Sequence, residues 1–240
     1  MTAFHLILST LNSATLYEPY NTWHLCALLV IATIGLLIAT QTQLRSCHRS
    51  VCVTLCSISL VSLVLSCCLY HSWPFHICHV SAWLVMPLAL LKRIIPCKRF
   101  LLLISGWAAL IALCVPGGEL ALHVSLIKYL VFFGLHAAIV WSTIYVFCHD
   151  RPTLNLQAIL SAFVTFNLYL IVAGAIDLLS HRNFAYLAHK PESGLHLMAW
   201  PWYIVQVECL GIFLACLTCL LSKTLFRVSV SKNSISQKAV

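Results

Sequence analysis

The chain alternates long apolar runs with short polar connectors. Seven runs reach or approach the length of about 20 residues that crosses a bilayer as a helix. They cover residues 22–41, 51–70, 75–91, 99–116, 124–148, 156–180 and 202–222. Within lipid, only helices and closed barrels satisfy every backbone N–H and C=O. Unbroken runs, rather than short alternating segments, select helices. The pattern predicts an all-α membrane protein, a bundle of about seven transmembrane helices forming a single domain over 1–240. No span repeats another, and no linker marks a second domain. The opening MTAFHLILST carries no basic segment and too short an apolar stretch for a cleaved signal.

Composition agrees. The 240 residues are 61% hydrophobic and 8% charged, against about 25% charged in soluble domains. A net charge of +8 raises the question of nucleic acid, but the placement of the cations answers it. With seven spans, one side of the membrane holds Arg45, Arg49, Lys92, Arg93, Lys98, Arg99 and Arg151. A basic tail over 223–240, with Lys223, Arg227, Lys232 and Lys238, joins them. The other side holds only Arg182 and Lys190. The positive-inside rule then puts the N-terminus outside and the tail in the cytoplasm, in a multi-pass protein of the cell membrane. Membrane lipid is the expected partner, and neither nucleic acid nor a cofactor is expected.

Thirteen cysteines, an odd number mostly inside spans, do not form a secreted disulfide framework. Cys216–Cys219 has CxxC spacing, but inside a helix. There, as at Cys52–Cys56 and Cys67–Cys68, small polarisable packing residues are expected.

Polar groups inside spans cost about 2.5–3.5 kcal/mol each on insertion scales, so each calls for a reason. The third span carries His76, Cys78 and His79 near its start; the fifth carries Lys128 and, near its middle, His136. The sixth carries Asn167 and Asp177, and the seventh Gln206 and Glu208. All lie at mid-depth or in the outer half. The asymmetry predicts a pocket open to the outer side, with its floor near His136 and Asn167. Lys128, Phe132 and His136 form an i, i+4, i+8 row. Asn167, Gly174 and Asp177 share an arc of about 80°. Gln206 and Glu208 point to nearly opposite sides and are not expected to face one pocket. Plainer roles stand beside these. The residues near the interface can snorkel or pair locally, and His136 can bond across helices to Asn167. No carboxylate is placed to complete a metal site with the histidines, so no metal is expected.

Between the last two spans runs HRNFAYLAHKPESGLHLMAWPWYI, on the outer side above that pocket. Its position reads as a lid, its second half stiffened by Pro191 and WPWY, and Asn183, Tyr186, Lys190, Trp202 and Tyr203 are expected among the pocket residues with His76, His79, Asn167 and Asp177. Other chemistries are excluded by their residues. The last span has no lysine before Lys223 for a retinal Schiff base. There is one intramembrane aspartate rather than two, no GxSxG, no HExxH and no pair of broken helices.

WPFHICHVS (73–81), GWAALIALCVP (106–116), FFGLHAAIV (132–140) and NFAYLAHKP with WPWYI (183–204) occur in an order that resembles the YwaF-like family of bacterial integral membrane proteins. The resemblance covers about residues 70–222. That family is distantly similar to animal multi-spanning phospholipid acyltransferases, in which a cysteine on one helix works with a histidine on a later one. The resemblance implies His136 as that histidine. The animal motif is Pro-Cys-His, whereas this chain has Pro74-Phe75-His76, which leaves Cys78 as the candidate nucleophile. By span midpoints Cys78 lies about 7–8 Å above His136, so the two meet only if the helices shift or tilt. A pocket for a lipid or other small molecule, Cys78/His136 acyl transfer, and a structural or assembly role all remain open at this point.

Overall fold

A computed structural model describes residues 15–17, 22–70, 73–115, 124–190 and 197–237. It contains α1 (Thr22–Thr40), α2 (His48–Tyr70), α3 (Ile77–Leu90), α4 (Ile95–Cys114), α5 (Leu126–Asp150), α6 (Leu156–Ser180) and α7 (Trp202–Gln237). Six are long and apolar enough to cross a membrane. The third is shorter: Ile77–Leu90 covers about 21 Å at about 1.5 Å per residue, less than the hydrocarbon thickness of about 30 Å. It starts later than the apolar run because a turn at Trp73–Phe75, closed by Phe75 N–H to the Trp73 carbonyl at 2.9 Å, precedes it. A short antiparallel pair, β1 (Thr15–Tyr17) with β2 (Val124–Ser125), is an element that hydropathy gave no sign of. Pro116, Pro191 and Lys238, named above, lie outside the described residues.

α5 is the central helix, packed against α1, α2 and α4. Its apolar window is 61% buried, whereas those of α1 and α6 are only 11% buried and present their leucines and valines outward. In a bilayer those faces meet lipid, which is why an all-round apolar sequence does not mean an all-round buried helix. Small residues set the closest contacts. A Cβ on Gly106 of α4 would sit 2.6 Å from Thr143 of α5, and one on Gly134 would sit 2.8 Å from the Ser62 hydroxyl of α2.

α3 and α4 each contain a widened, π-helical turn, at Ser81–Val85 and Leu101–Ser105. The first lies where an α-helical ladder would collide with the ring of Pro87, which also lacks an N–H to donate. The buried Ser81 and Ser105 hydroxyls join the two turns at 2.7 Å. Ser81 also lies 2.7 Å from the Ile77 carbonyl, which can only accept. The Ser81 hydroxyl is the donor toward both, so its one hydrogen is shared between Ser105 and Ile77.

The connectors sort to two ends. At one, Lys98 donates to the Asp150 carboxylate, Arg93 reaches it at 3.5 Å, and His48 Nδ1 meets the Tyr145 hydroxyl at 2.6 Å. At the other, Phe75 stacks edge-on to Phe184 at 5.6 Å, and the Tyr169 hydroxyl donates to the Phe75 carbonyl at 2.8 Å. α3 therefore runs from end to end despite its length, and the chain alternates between a basic end and a lid end.

Candidate functional site: a cavity under a fixed lid

The lid end holds a cavity of about 430 Å³. α3 contributes His76, Ile77, Cys78 and His79; α5 contributes Phe132, Leu135 and His136; α6 contributes Phe163, Phe166 and Leu170. Trp107 of α4 lines another wall and is held by its indole N–H donating to the Thr218 hydroxyl at 2.8 Å. The rest is mostly aliphatic.

Cys78 and His136 are both buried, at 8% and 7% exposure, and both face this cavity. His136 Nδ1 lies 2.8 Å from the Phe132 carbonyl one turn earlier, with the two rings 4.1 Å apart. A carbonyl cannot donate, so Nδ1 carries the hydrogen and Nε2 is left as the lone-pair nitrogen. Cys78 lies in the first turn of α3, where backbone N–H groups have no intrahelical acceptor. His79 packs edge-on against His76 at 5.5 Å, and its Nδ1 is buried with no hydrogen-bond partner among the described residues.

The loop above is a tied structure. Asn183 clips it, accepting from the Ala188 and His189 N–H groups at 2.9 and 3.2 Å and donating to the His189 carbonyl at 2.8 Å. Asp177, at the end of α6, accepts from the Phe184 N–H at 2.6 Å. Tyr203 donates to the Tyr186 carbonyl, and the Trp200 indole donates to the Leu187 carbonyl at 3.1 Å. Phe184 and Tyr186 lie on His76 at 5.5 and 5.4 Å. Ala185 and Tyr186 both line the cavity with left-handed backbones, φ 54° and 57°. Two consecutive non-glycine residues in that region are uncommon, and such conformations gather where a structure is held for function.

Of the predicted pocket residues, His76, His79, Tyr186 and Tyr203 line the cavity with Cys78 and His136. Asp177 and Asn183 hold the lid instead. Lys190 is exposed and donates to the Leu197 carbonyl at 3.3 Å, and Trp202 lies on the outer surface at 60% exposure. Asn167 is exposed on α6, and its amide donates to the Phe163 carbonyl at 3.0 Å. Gln206 and Glu208 both reach the cavity, contrary to the expectation from their spacing. Val207 lies between them on the face of α7 toward the cavity, and each long side chain reaches in from about 100° to one side. Phe75, in the place of the animal cysteine, is turned to Phe184 of the lid. Among the described residues, no three His, Cys, Asp or Glu side chains are grouped to hold a metal ion.

Fold and site together define a polytopic, all-α membrane protein with an intramembrane cavity. Residues 19–219 match the model of the TMEM164 family, and the chain belongs to the TMEM164 family. The match spans all four motif blocks; it replaces the YwaF-like name and gives no support to a bacterial origin. No curated protein and no solved structure matches the chain.

Proposed function

We propose that this protein binds the hydrocarbon chain of a membrane lipid in the cavity, with the lipid's polar part held at the histidine end beneath the lid. One observation carries this reading: the cavity is lined mainly by aliphatic and aromatic side chains, with a small polar set that includes His76, His79, His136, Tyr186, Gln206 and Glu208. A volume of about 430 Å³ lies within the roughly 300–1,000 Å³ of small-molecule sites, which suits one chain rather than a two-chain lipid. The sorting of cations to the end opposite the lid supports a lid on the outer side and a cytoplasmic C-terminus, in the cell membrane.

A second reading, acyl transfer, is favoured by Cys78 and the free Nε2 of His136 facing the same space. In it, His136 Nε2 takes the thiol proton as Cys78 sulfur attacks an ester carbonyl. The S–C bond forms, the C–O bond breaks, and the proton passes to the leaving alkoxide. A second lipid hydroxyl then attacks the thioester and regenerates the thiol. The first-turn N–H groups of α3 are donors of the kind a developing oxyanion needs.

Mass spectrometry of protein purified in mild detergent tests both. Bound lipid that survives Cys78→Ser supports the binding site. A mass increase of one acyl group, lost in Cys78→Ser and His136→Ala, supports transfer. Protein free of lipid under these conditions counts against both.

A further inference from the structure

The basic end carries more positive charge than its own carboxylates can neutralise. Over 41–50, 91–99, 149–155 and 223–240 the sequence holds one acidic residue, Asp150. Lys98 and Arg93 already occupy its carboxylate. Arg151 turns to the backbone, its Nε donating to the Cys148 carbonyl at 3.2 Å.

Arg99, next to Lys98 near the start of α4, is left over. It is half-buried, and its Nε is fully buried with no hydrogen-bond partner among the described residues. Burial without a partner stops at Nε, so the two Nη nitrogens are the open edge of the guanidinium. A snorkelling arginine keeps its whole head wet, whereas shielding part of that head with no partner costs free energy. Two adjacent Nη–H groups match two oxygens of one phosphate.

The surroundings are those of a lipid. Ile95, one turn before Arg99 on the same face of α4, is 56% exposed. The Ile95–Phe100 segment packs against α6. There Leu156, Leu160, Val164 and Leu168 form an exposed row at i, i+4 spacing that leads from the basic end toward mid-membrane. One turn beyond Arg99, Leu103 and Ile104 are buried and line the cavity.

We infer that the foot of α4 seats one phospholipid of net negative charge from the leaflet at the basic end. Its phosphate is held on the Nη edge of Arg99, and its chain lies along the leucine row of α6. This seat is separate from the cavity and does not depend on what the cavity holds.

The full chain in mild detergent is titrated with phosphatidylglycerol or phosphatidylcholine, and bound lipid is counted by native mass spectrometry. Phosphatidylglycerol is expected to bind more tightly than phosphatidylcholine, at one site. Arg99→Gln is expected to weaken it about tenfold, the loss of a hydrogen bond to a charged group. Arg49→Gln, which removes an exposed cation at the same end, leaves that affinity unchanged. If the glutamine variant does not fold, Arg99→Lys keeps the charge without the two-pronged contact and is expected to bind about threefold more weakly. Excess inorganic phosphate leaves the lipid bound. Equal losses in the Arg99 and Arg49 variants, or none in the Arg99 variants, overturn the seat and leave only diffuse attraction. Displacement by inorganic phosphate overturns the lipid as its occupant.

Discussion

The Tyr203 hydroxyl donates a hydrogen bond to the Tyr186 carbonyl, seventeen residues earlier. It fastens the first turn of α7 to the part of the lid whose backbone is left-handed. This contact gives the aromatic WPWY block a physical purpose. Trp200 and Tyr203 are the anchors of a loop that rests on His76, and Tyr203 forms part of the cavity wall as well.

Tyr203→Phe keeps the ring and removes the bond. Leaving a part-buried carbonyl unpaired costs about 1–3 kcal/mol. Thermal unfolding in detergent is expected to show a Tm lowered by a few degrees, with proteolysis speeded first within residues 183–203. An unchanged Tm and digestion pattern would show that the lid is held by packing alone.

Ala185→Gly is expected to act in the opposite direction. Ala185 holds φ 54°, and glycine takes that conformation without the cost of about 1–2 kcal/mol met by other residues. The variant gains about 1 kcal/mol in the same assay, offset in part by the greater freedom of glycine in the unfolded chain.

Phe184 is 3% exposed and touches both Phe75 and His76. Phe184→Ala removes a buried aromatic at a cost of about 3–5 kcal/mol. The lid is expected to lift from α3, so that diethyl pyrocarbonate modifies His76 faster than in the wild type. Modification at the wild-type rate would mean that Phe184 does not shield that histidine.

At the basic end, Lys98 and Asp150 form a pair with side chains 9% and 7% exposed. Asp150→Asn strands a buried ammonium, and breaking a buried pair in this way costs about 3–5 kcal/mol. The loss should show in unfolding while lipid occupancy of the folded fraction stays at the wild-type level, because no member of this cluster lines the cavity. A folded variant that has lost its lipid would show the two ends to be coupled.

The helices were legible in the sequence because lipid imposes a simple rule on uninterrupted apolar runs. Cys78, His136, His76 and His79 were legible because an ionisable or nucleophilic group at depth stands out against leucine. Other features were not legible. The shortness of α3 depends on where the turn before it ends. The bonds of Asp177 and Asn183 are made to backbone atoms of a loop, and backbone partners leave no trace in side-chain chemistry. The joint approach of Gln206 and Glu208 depends on which face of α7 turns inward, which an almost uniformly apolar helix does not declare. The left-handed residues Arg93, Arg151, His181, Ala185 and Tyr186 were hidden for a related reason: none is a glycine.

The central claim is that a lipid chain occupies the cavity lined by Cys78 and His136, and photo-crosslinking tests it most directly. The full chain in nanodiscs is loaded with a lysophospholipid carrying a diazirine on its acyl chain, irradiated and mapped by peptide mass spectrometry. The account predicts adducts concentrated at residues that face the cavity, among them Trp107, Phe132, Phe163 and Leu214. Excess unlabelled lysolipid should compete these adducts away. Adducts confined to the bilayer-facing residues of α1 and α6, such as Leu29, Leu36, Leu168 and Ile171, and indifferent to competitor, would contradict it.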